Sequence, residues 1–271
     1  VIEIHERFSQ IFKRNNIALV YGGHTSNLKG DLICLTTHQL YRYVHYFDLL
    51  IVDEVDAFPF KGDEVLNSFF ERSIKGRYIL LSATPDNSLI KKFKGEGFDT
   101  LELFSRFHGH ALPVPRIEIG HTTKLLYKLL KLTKTFNENG KQVFIFTPTI
   151  AVCEKTYQFL NIFLKNGAYV HSKCDDRNTR ISDFKNKKYM FLVTTAVLER
   201  GVTVKDLQVI VYKADDDIYD KYSLIQNAGR VGRKKDAPEG EVIFLANKDN
   251  ASMEDAISDI QNANKSLQNM L

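Results

Sequence analysis

The chain has 271 residues, 44% of them hydrophobic and 26% charged, with a formal net charge of +4 and a pI near 8.8. This is the composition of an ordinary globular protein of one large or two medium domains, basic enough for a nucleic-acid partner without requiring one. No apolar run approaches the roughly 18–20 residues of a membrane span, no signal-peptide pattern opens the chain, and Cys34, Cys153 and Cys174 make no C-x-x-C pair, so an integral membrane segment, a zinc site and a disulfide framework are not expected and a reducing, cytoplasmic setting is.

Ile4, Phe8, Ile11 and Phe12 recur at helical spacing and predict an amphipathic helix. A strand over 17–21 follows, closed by Gly22 and Gly23, and then a strand over 32–37. Its end, Thr36-Thr37-His38-Gln39, starts a helix bearing Leu40, Tyr41 and Val44. Leu49 to Val52 are four consecutive apolar residues that run into Asp53, Glu54 and Asp56. Such a run without alternation reads as a strand covered on both faces, with its acids at the C-terminal end. A helix over 64–73 and a strand over 78–84 come next, the strand stopped by Pro85 and followed by a helix from Asn87. Strands alternating with helices at this pitch mean a parallel α/β sheet.

The stretch from His108 to His121 breaks the alternation with Pro113, Pro115 and two glycines, and is read as a link between two domains. The expected division is 1–110, a linker over 111–120, and 121–271. The pattern then restarts with a helix over 121–137, strands over 142–147, 168–171, 190–194, 207–212 and 241–245 with helices between, and a closing helix from Ser252.

Four groups of residues carry candidate chemistry. The C-terminal edge of a parallel sheet is where ligands bind, so Asp53 there can hold Mg²⁺ and Glu54 can act on an attacking water; the competing interpretation is a solvated acidic turn. Ser82-Ala83-Thr84 ends another strand with two hydroxyls able to sense a phosphate, or simply with small turn residues. Thr194 and Thr195 end a third strand, before Arg200 and Gly201 and a turn through Thr203, and backbone amides and hydroxyls in such a place suit phosphate contacts. In Gln226-Asn-Ala-Gly-Arg-Val-Gly-Arg233, Arg230 and Arg233 lie three apart on one face of a helix end or turn. Gly229 and Gly232 clear bulk beside them, so the pair can reach a triphosphate.

Together these form an ordered set. Asp53-Glu-Val-Asp56, Ser82-Ala-Thr84 and Gln226 to Arg233 resemble motifs II, III and VI of the superfamily 2 helicases. Phe144-Ile-Phe-Thr-Pro-Thr149 resembles motif IV, 194–204 resembles motif V, and Thr36-Thr-His-Gln39 resembles motif Ib. Asp53-Glu-Val-Asp-Ala-Phe-Pro59 looks most like the ComFA family of competence DNA-uptake ATPases, with the primosomal helicase PriA as the related alternative.

The resemblance implies two RecA-like parallel-sheet domains in tandem, the first incomplete at its N-terminus. It implies ATP and Mg²⁺ as cofactors, with Asp53 on the metal and Glu54 on the water. Arg230, Arg233 and Gln226 would serve the γ-phosphate from the second domain. Ser82 and Thr84 would couple nucleotide state to the gap between domains, and Gly201 and Thr203 would stand at the nucleotide. Thr36, Thr37, His38, Thr147, Thr194 and Thr195 would line a groove for single-stranded DNA, with other competence proteins at the inner membrane face as further partners. Thr203 stands where many relatives carry an Asp that touches the ribose. The chain holds no G-x-x-x-x-G-K-[ST] run and no four-cysteine zinc module. The phosphate-cradling loop is therefore expected upstream in a full-length parent, and this chain alone is expected to be inactive.

Overall fold

A computed structural model of the chain describes residues 1–55, 63–82, 91, 95, 97–101, 103, 109–195 and 203–268. The expected helix from Asn87 and the site residues Thr84 and Gly201 lie outside the described residues. The chain divides into two compact units, Val1–Leu101 and Glu102–Leu271.

In the first unit, α1 (Ile2–Ile11) precedes β1 (Ile17–Val20), which pairs in parallel with β2 (Leu32–Leu35). The chain leaves β2 as a 3₁₀ turn, Thr37–Arg42, in place of the expected helix through Val44. Aromatic and β-branched residues crowd 41–47, and side chains of those types lose rotamer freedom in a helix. Tyr43 is already extended (φ −115°, ψ 135°).

β3 (Phe47–Val52) pairs in parallel with β4 (Ile74–Leu80). Between them α2 (Glu64–Ser73) is capped by Asp63, whose carboxylate accepts the N–H groups of Val65 and Leu66, two of the donors a helix start leaves unmet. β4 begins at Ile74, four residues before the apolar signal at Tyr78. Lys75, Gly76 and Arg77 are exposed, so hydrophobicity does not mark them. What holds them is pairing across a register shift at Asp48, where a Cβ on Gly76 would collide with the Asp48 carbonyl oxygen.

One face of this sheet is packed. Leu50 and Val52 are buried with Leu40, Tyr43, Phe47, Val55 and Phe70. The other face shows Leu49 and Ile51 at 52% and 55% exposure, with Ile79 and Leu81 beside them. The unbroken apolar run predicts cover on both sides; among the described residues only one side has it.

The second unit is a six-stranded parallel sheet, ordered β5-β10-β9-β6-β8-β7. Its elements are β5 (Arg116–Ile119), α3 (Thr122–Glu138), β6 (Gln142–Thr147), α4 (Ile150–Phe163), β7 (Gly167–Val170), α5 (Arg177–Lys185), β8 (Phe191–Thr195), β9 (Leu207–Tyr212), α6 (Lys221–Ala228), β10 (Val242–Ala246) and α7 (Ala251–Gln268). Every residue of β6, β8, β9 and β10 is buried. Alternate side chains serve two cores. Val143, Ile145, Val193 and Ile210 pack under α3 and α4, while Phe144, Phe146, Leu192 and Val211 pack with α5, α6 and α7.

Residues 116–119, within the stretch expected as linker, form the edge strand β5 on β10. The segment before it is also tied down. Asn264 of α7 accepts the Leu112 N–H at 2.7 Å and donates to the Leu112 carbonyl at 2.8 Å. The closing helix thereby fixes the entry to the second unit.

The two faces of β3 make opposite predictions. Leu50→Ala should cost the first unit about 2–4 kcal/mol, while Ile51→Ser on the open face should cost under about 1 kcal/mol. Urea melts followed by the first unit's tyrosines measure both. Equal losses would show that the open face is packed in solution.

Candidate functional site

Asp53 and Glu54 stand where β3 ends. Leu81 donates its N–H to the Val52 carbonyl (2.8 Å), and its own carbonyl accepts the Val55 N–H (3.1 Å). Val52 and Val55 are thus tied to one residue past β4, and the two acids must form a short excursion between them. Glu54 pays for that with a left-handed backbone, φ +56°, a conformation costing an L-residue roughly 1–2 kcal/mol. Asp53 holds the excursion by accepting the Glu54 N–H on Oδ1 at 3.0 Å. Asp53 is exposed and Glu54 half-buried. Ser82, half-buried, follows Leu81 directly and so lies at the same edge.

Thr36, Thr37 and His38 lie just beyond β2. The Thr36 N–H still bonds Val20, and its carbonyl accepts from Gln39 as the 3₁₀ turn begins. The two threonines are half-buried and His38 is exposed.

In the second unit, Thr147 ends β6 and Thr194–Thr195 end β8, with Thr147 paired to Thr195 in register. Thr147 and Thr194 are fully buried, and their hydroxyls donate to the Thr194 and Thr195 carbonyls at 3.1 and 3.3 Å. In this arrangement they brace the strand ends. Thr195, at 9% exposure, is nearer the surface. Thr203 is half-buried.

α6 starts at its cap Asp220, which accepts the Ser223 N–H at 2.7 Å, and it carries Gln226 half-buried near its end. Arg230 and Arg233 follow the helix in a pair of turns. Arg230 is 7% exposed, and Arg233 is half-buried with its Nε donating to the Gly229 carbonyl at 2.9 Å. Gly232 between them has φ +70°, which favours glycine.

Each unit therefore gathers its own subset: Thr36, Thr37, His38, Asp53, Glu54 and Ser82 in the first, and Thr147, Thr194, Thr195, Gln226, Arg230 and Arg233 in the second. His171, just past β7, was not singled out by its motif context. It is 4% exposed, and its Nδ1 accepts the Lys173 N–H at 3.3 Å. Its Nε2–H therefore donates to Glu154 on α4 at 3.1 Å. The available signal was a histidine ending an apolar strand. Cys153, beside Glu154 in sequence, is fully buried, and burial pushes its thiol up to about 12.

The Helicase conserved C-terminal domain family matches residues 122–235, which includes β6, β8 and the two arginines. The chain is 36% identical over 97% of its length to the competence protein ComFA of Streptococcus pneumoniae, of which it covers 63%. It is 34% identical over 98% of its length to ComFA of Bacillus subtilis, of which it covers 59%. It thus spans about three-fifths of these relatives. Among solved structures, Saccharomyces cerevisiae Dbp5 bound to RNA and ADP BeF3 superposes with a TM-score of 0.72 at 18% identity, over 97% of this chain and 72% of that one, a likeness of fold.

The burial of Cys153 sets a chemical expectation. Native protein treated with iodoacetamide at pH 8 should be carbamidomethylated at half-buried Cys174 and unmodified at Cys153 until denaturant is added. Peptide mass spectrometry reads this; rapid native labelling of Cys153 would contradict the packing of α4 on β6 and β8.

Proposed function

We propose, on the premise that this chain is a superfamily 2 helicase core similar to the competence protein ComFA, that it is the motor core of an ATP-dependent single-stranded DNA translocase serving DNA uptake in natural transformation. One observation carries the reading: the motif residues on described strands all fall at C-terminal ends of parallel strands, Thr36 after β2, Asp53 and Glu54 after β3, Ser82 after β4, Thr147 on β6 and Thr195 on β8. That is the edge at which α/β sheets bind nucleotides and phosphates.

The carboxylate that ends β3 fits a hydrated Mg²⁺. Asp53 is exposed and commits one carboxylate oxygen to the backbone, which leaves the other for a metal-bound water. Bound Mg²⁺·ATP supplies the γ-phosphoryl group that water attacks. Asp53 would hold the ion, and Glu54 would orient the attacking water and take its proton. Arg230 and Arg233 would donate to the γ-phosphate oxygens, where charge builds during hydrolysis, with Gln226 assisting. Ser82 and Thr84 report the nucleotide state, and Gly201 and Thr203 serve the nucleotide from the motif V turn. Thr36, Thr37, His38 and Thr195 grip the strand's phosphates, while Thr147 and Thr194 brace the strand ends beneath. The DNA is passed on from other competence proteins at the inner face of the membrane.

The sequence lacks a G-x-x-x-x-G-K-[ST] loop, which favours a second reading for the chain by itself, as a nucleic-acid-binding module without turnover. Turnover is therefore tested in a protein joining this chain to such a loop. There Glu54→Gln should abolish phosphate release stimulated by single-stranded DNA and preserve ATP binding; normal hydrolysis would remove Glu54 from its role. Arg233→Ala should slow hydrolysis by roughly 10³–10⁵, the worth of an arginine finger, and a change under about tenfold in single-turnover assays would contradict its contact with the γ-phosphate.

A further inference from the structure

The second unit carries local excesses of positive charge, one of them on α3. Residues 116–170 hold eight lysines and arginines against three acids, a net of +5 where the whole chain carries +4. Four of the eight lie on α3: Lys124, Lys128, Lys131 and Lys134. The buried side of α3 is Leu125, Leu129, Thr133 and Phe136, so the lysines are turned outward with Tyr127 in their midst.

Tyr127 is 67% exposed, among the largest exposures of any aromatic ring described here. Its neighbours one turn before and one turn after, Lys124 and Lys131, are both exposed and make no ion pair among the described residues. They stand about 10 Å apart along the helix. Lys128 is engaged by Glu118, and Lys134 reaches Glu138 only at 3.8 Å. An exposed aromatic ring between two ammonium groups is the pairing that non-sequence-specific single-strand binders use: the ring stacks a base and the cations hold the phosphates on either side.

A lipid surface fits this face poorly. Interfacial helices turn leucine and phenylalanine toward the bilayer, whereas the apolar side of α3 is spent on the core beneath β6, β9 and β10. Its outward positions offer threonine, tyrosine and lysine. α3 starts at the C-terminal edge of the sheet that also carries Thr147 and Thr195, but Lys124, Tyr127 and Lys131 belong to none of the motifs. α3 begins beside Asp215, whose carboxylate bonds the Asn247 N–H, while Asn247 in turn bonds Gly120 and Thr122. The acidic run Asp215 to Asp217 at the end of β9 therefore stands at the top of the helix and keeps a polyanion to its flank.

We propose that the outer face of α3, centred on Tyr127 between Lys124 and Lys131, is a second contact for single-stranded nucleic acid, distinct from the strand-end residues and independent of ATP turnover. It holds the strand beside the motor edge by charge and stacking, without reading sequence.

The test uses the 271-residue chain and a fluorescent oligo-dT, with affinity measured from low to moderate salt. Lys124→Ala/Lys131→Ala should flatten the plot of log affinity against log salt by about 1.4, since each phosphate contact on a single strand contributes ~0.7. Tyr127→Ala should weaken binding roughly five- to a hundred-fold with the salt slope nearly unchanged. Lys124→Arg/Lys131→Arg should keep both slope and affinity, and circular dichroism should show all variants folded. A slope unchanged in the Ala variant would overturn the proposal, as would oligo-dT failing to bind the wild-type chain, or anionic phosphatidylserine vesicles binding through these lysines in its place. Thr36→Ala and Thr195→Ala, measured alongside, address the strand-end contacts separately: binding lost there with the α3 variants unaffected would sink this inference and leave the motor reading intact.

Discussion

The local structure of the first unit turns on a single main-chain constraint. Leu81, one residue past β4, holds both Val52 and Val55. The parallel ladder therefore continues past the end of β3, and Asp53 and Glu54 are left as a two-residue loop pinned at both ends. A left-handed Glu54 and an Asp53 carboxylate turned back on the Glu54 N–H are the ways that loop closes. Backbone strain of this kind persists only where surrounding bonds over-determine it, and it fixes a carboxylate far better than a free turn would.

The same division of labour runs through the second unit. In a sheet buried on both faces, side chains along the strands are consumed by packing, and only the strand ends remain for chemistry. Thr147 and Thr194 show where that boundary falls. Each sits at the last positions of its strand, yet burial commits both hydroxyls to neighbouring carbonyls. One residue further along, Thr195 is nearer the surface. Arg230 and Arg233 are set apart differently, by ending α6 early and turning through a left-handed glycine.

Periodicity revealed most of this architecture because burial enforces it. β6 and β9 were legible to the residue, as was α2 between its acid cap and Ser73. The differences arise where something other than burial holds the chain. β5 hides among prolines because a four-residue edge strand, only half-buried, has little apolar signal. The first half of β4 is polar and is held by pairing. The 3₁₀ turn after Thr36 reflects the aromatic and β-branched run over 41–47 together with the packing of Tyr43 and Phe47, neither of which apolar spacing shows. For the candidate site, residue types and spacing mark the acids and arginines as candidates. They could not announce the left-handed Glu54 or the His171–Glu154 bond, since both depend on partners distant in sequence.

Charge adds a layer that motif spacing does not show. The chain is only mildly basic as a whole, but α3 carries four lysines against one acid. The proposed motor requires Asp53–Glu54 and Arg230–Arg233 to serve one nucleotide. Hydrogen exchange of the protein joined to its phosphate loop, titrated with a non-hydrolysable ATP analogue, tests this most directly. The amides of 53–55 and 229–233 should gain protection together, with a common midpoint; protection of one set with the other unchanged at saturation would contradict it.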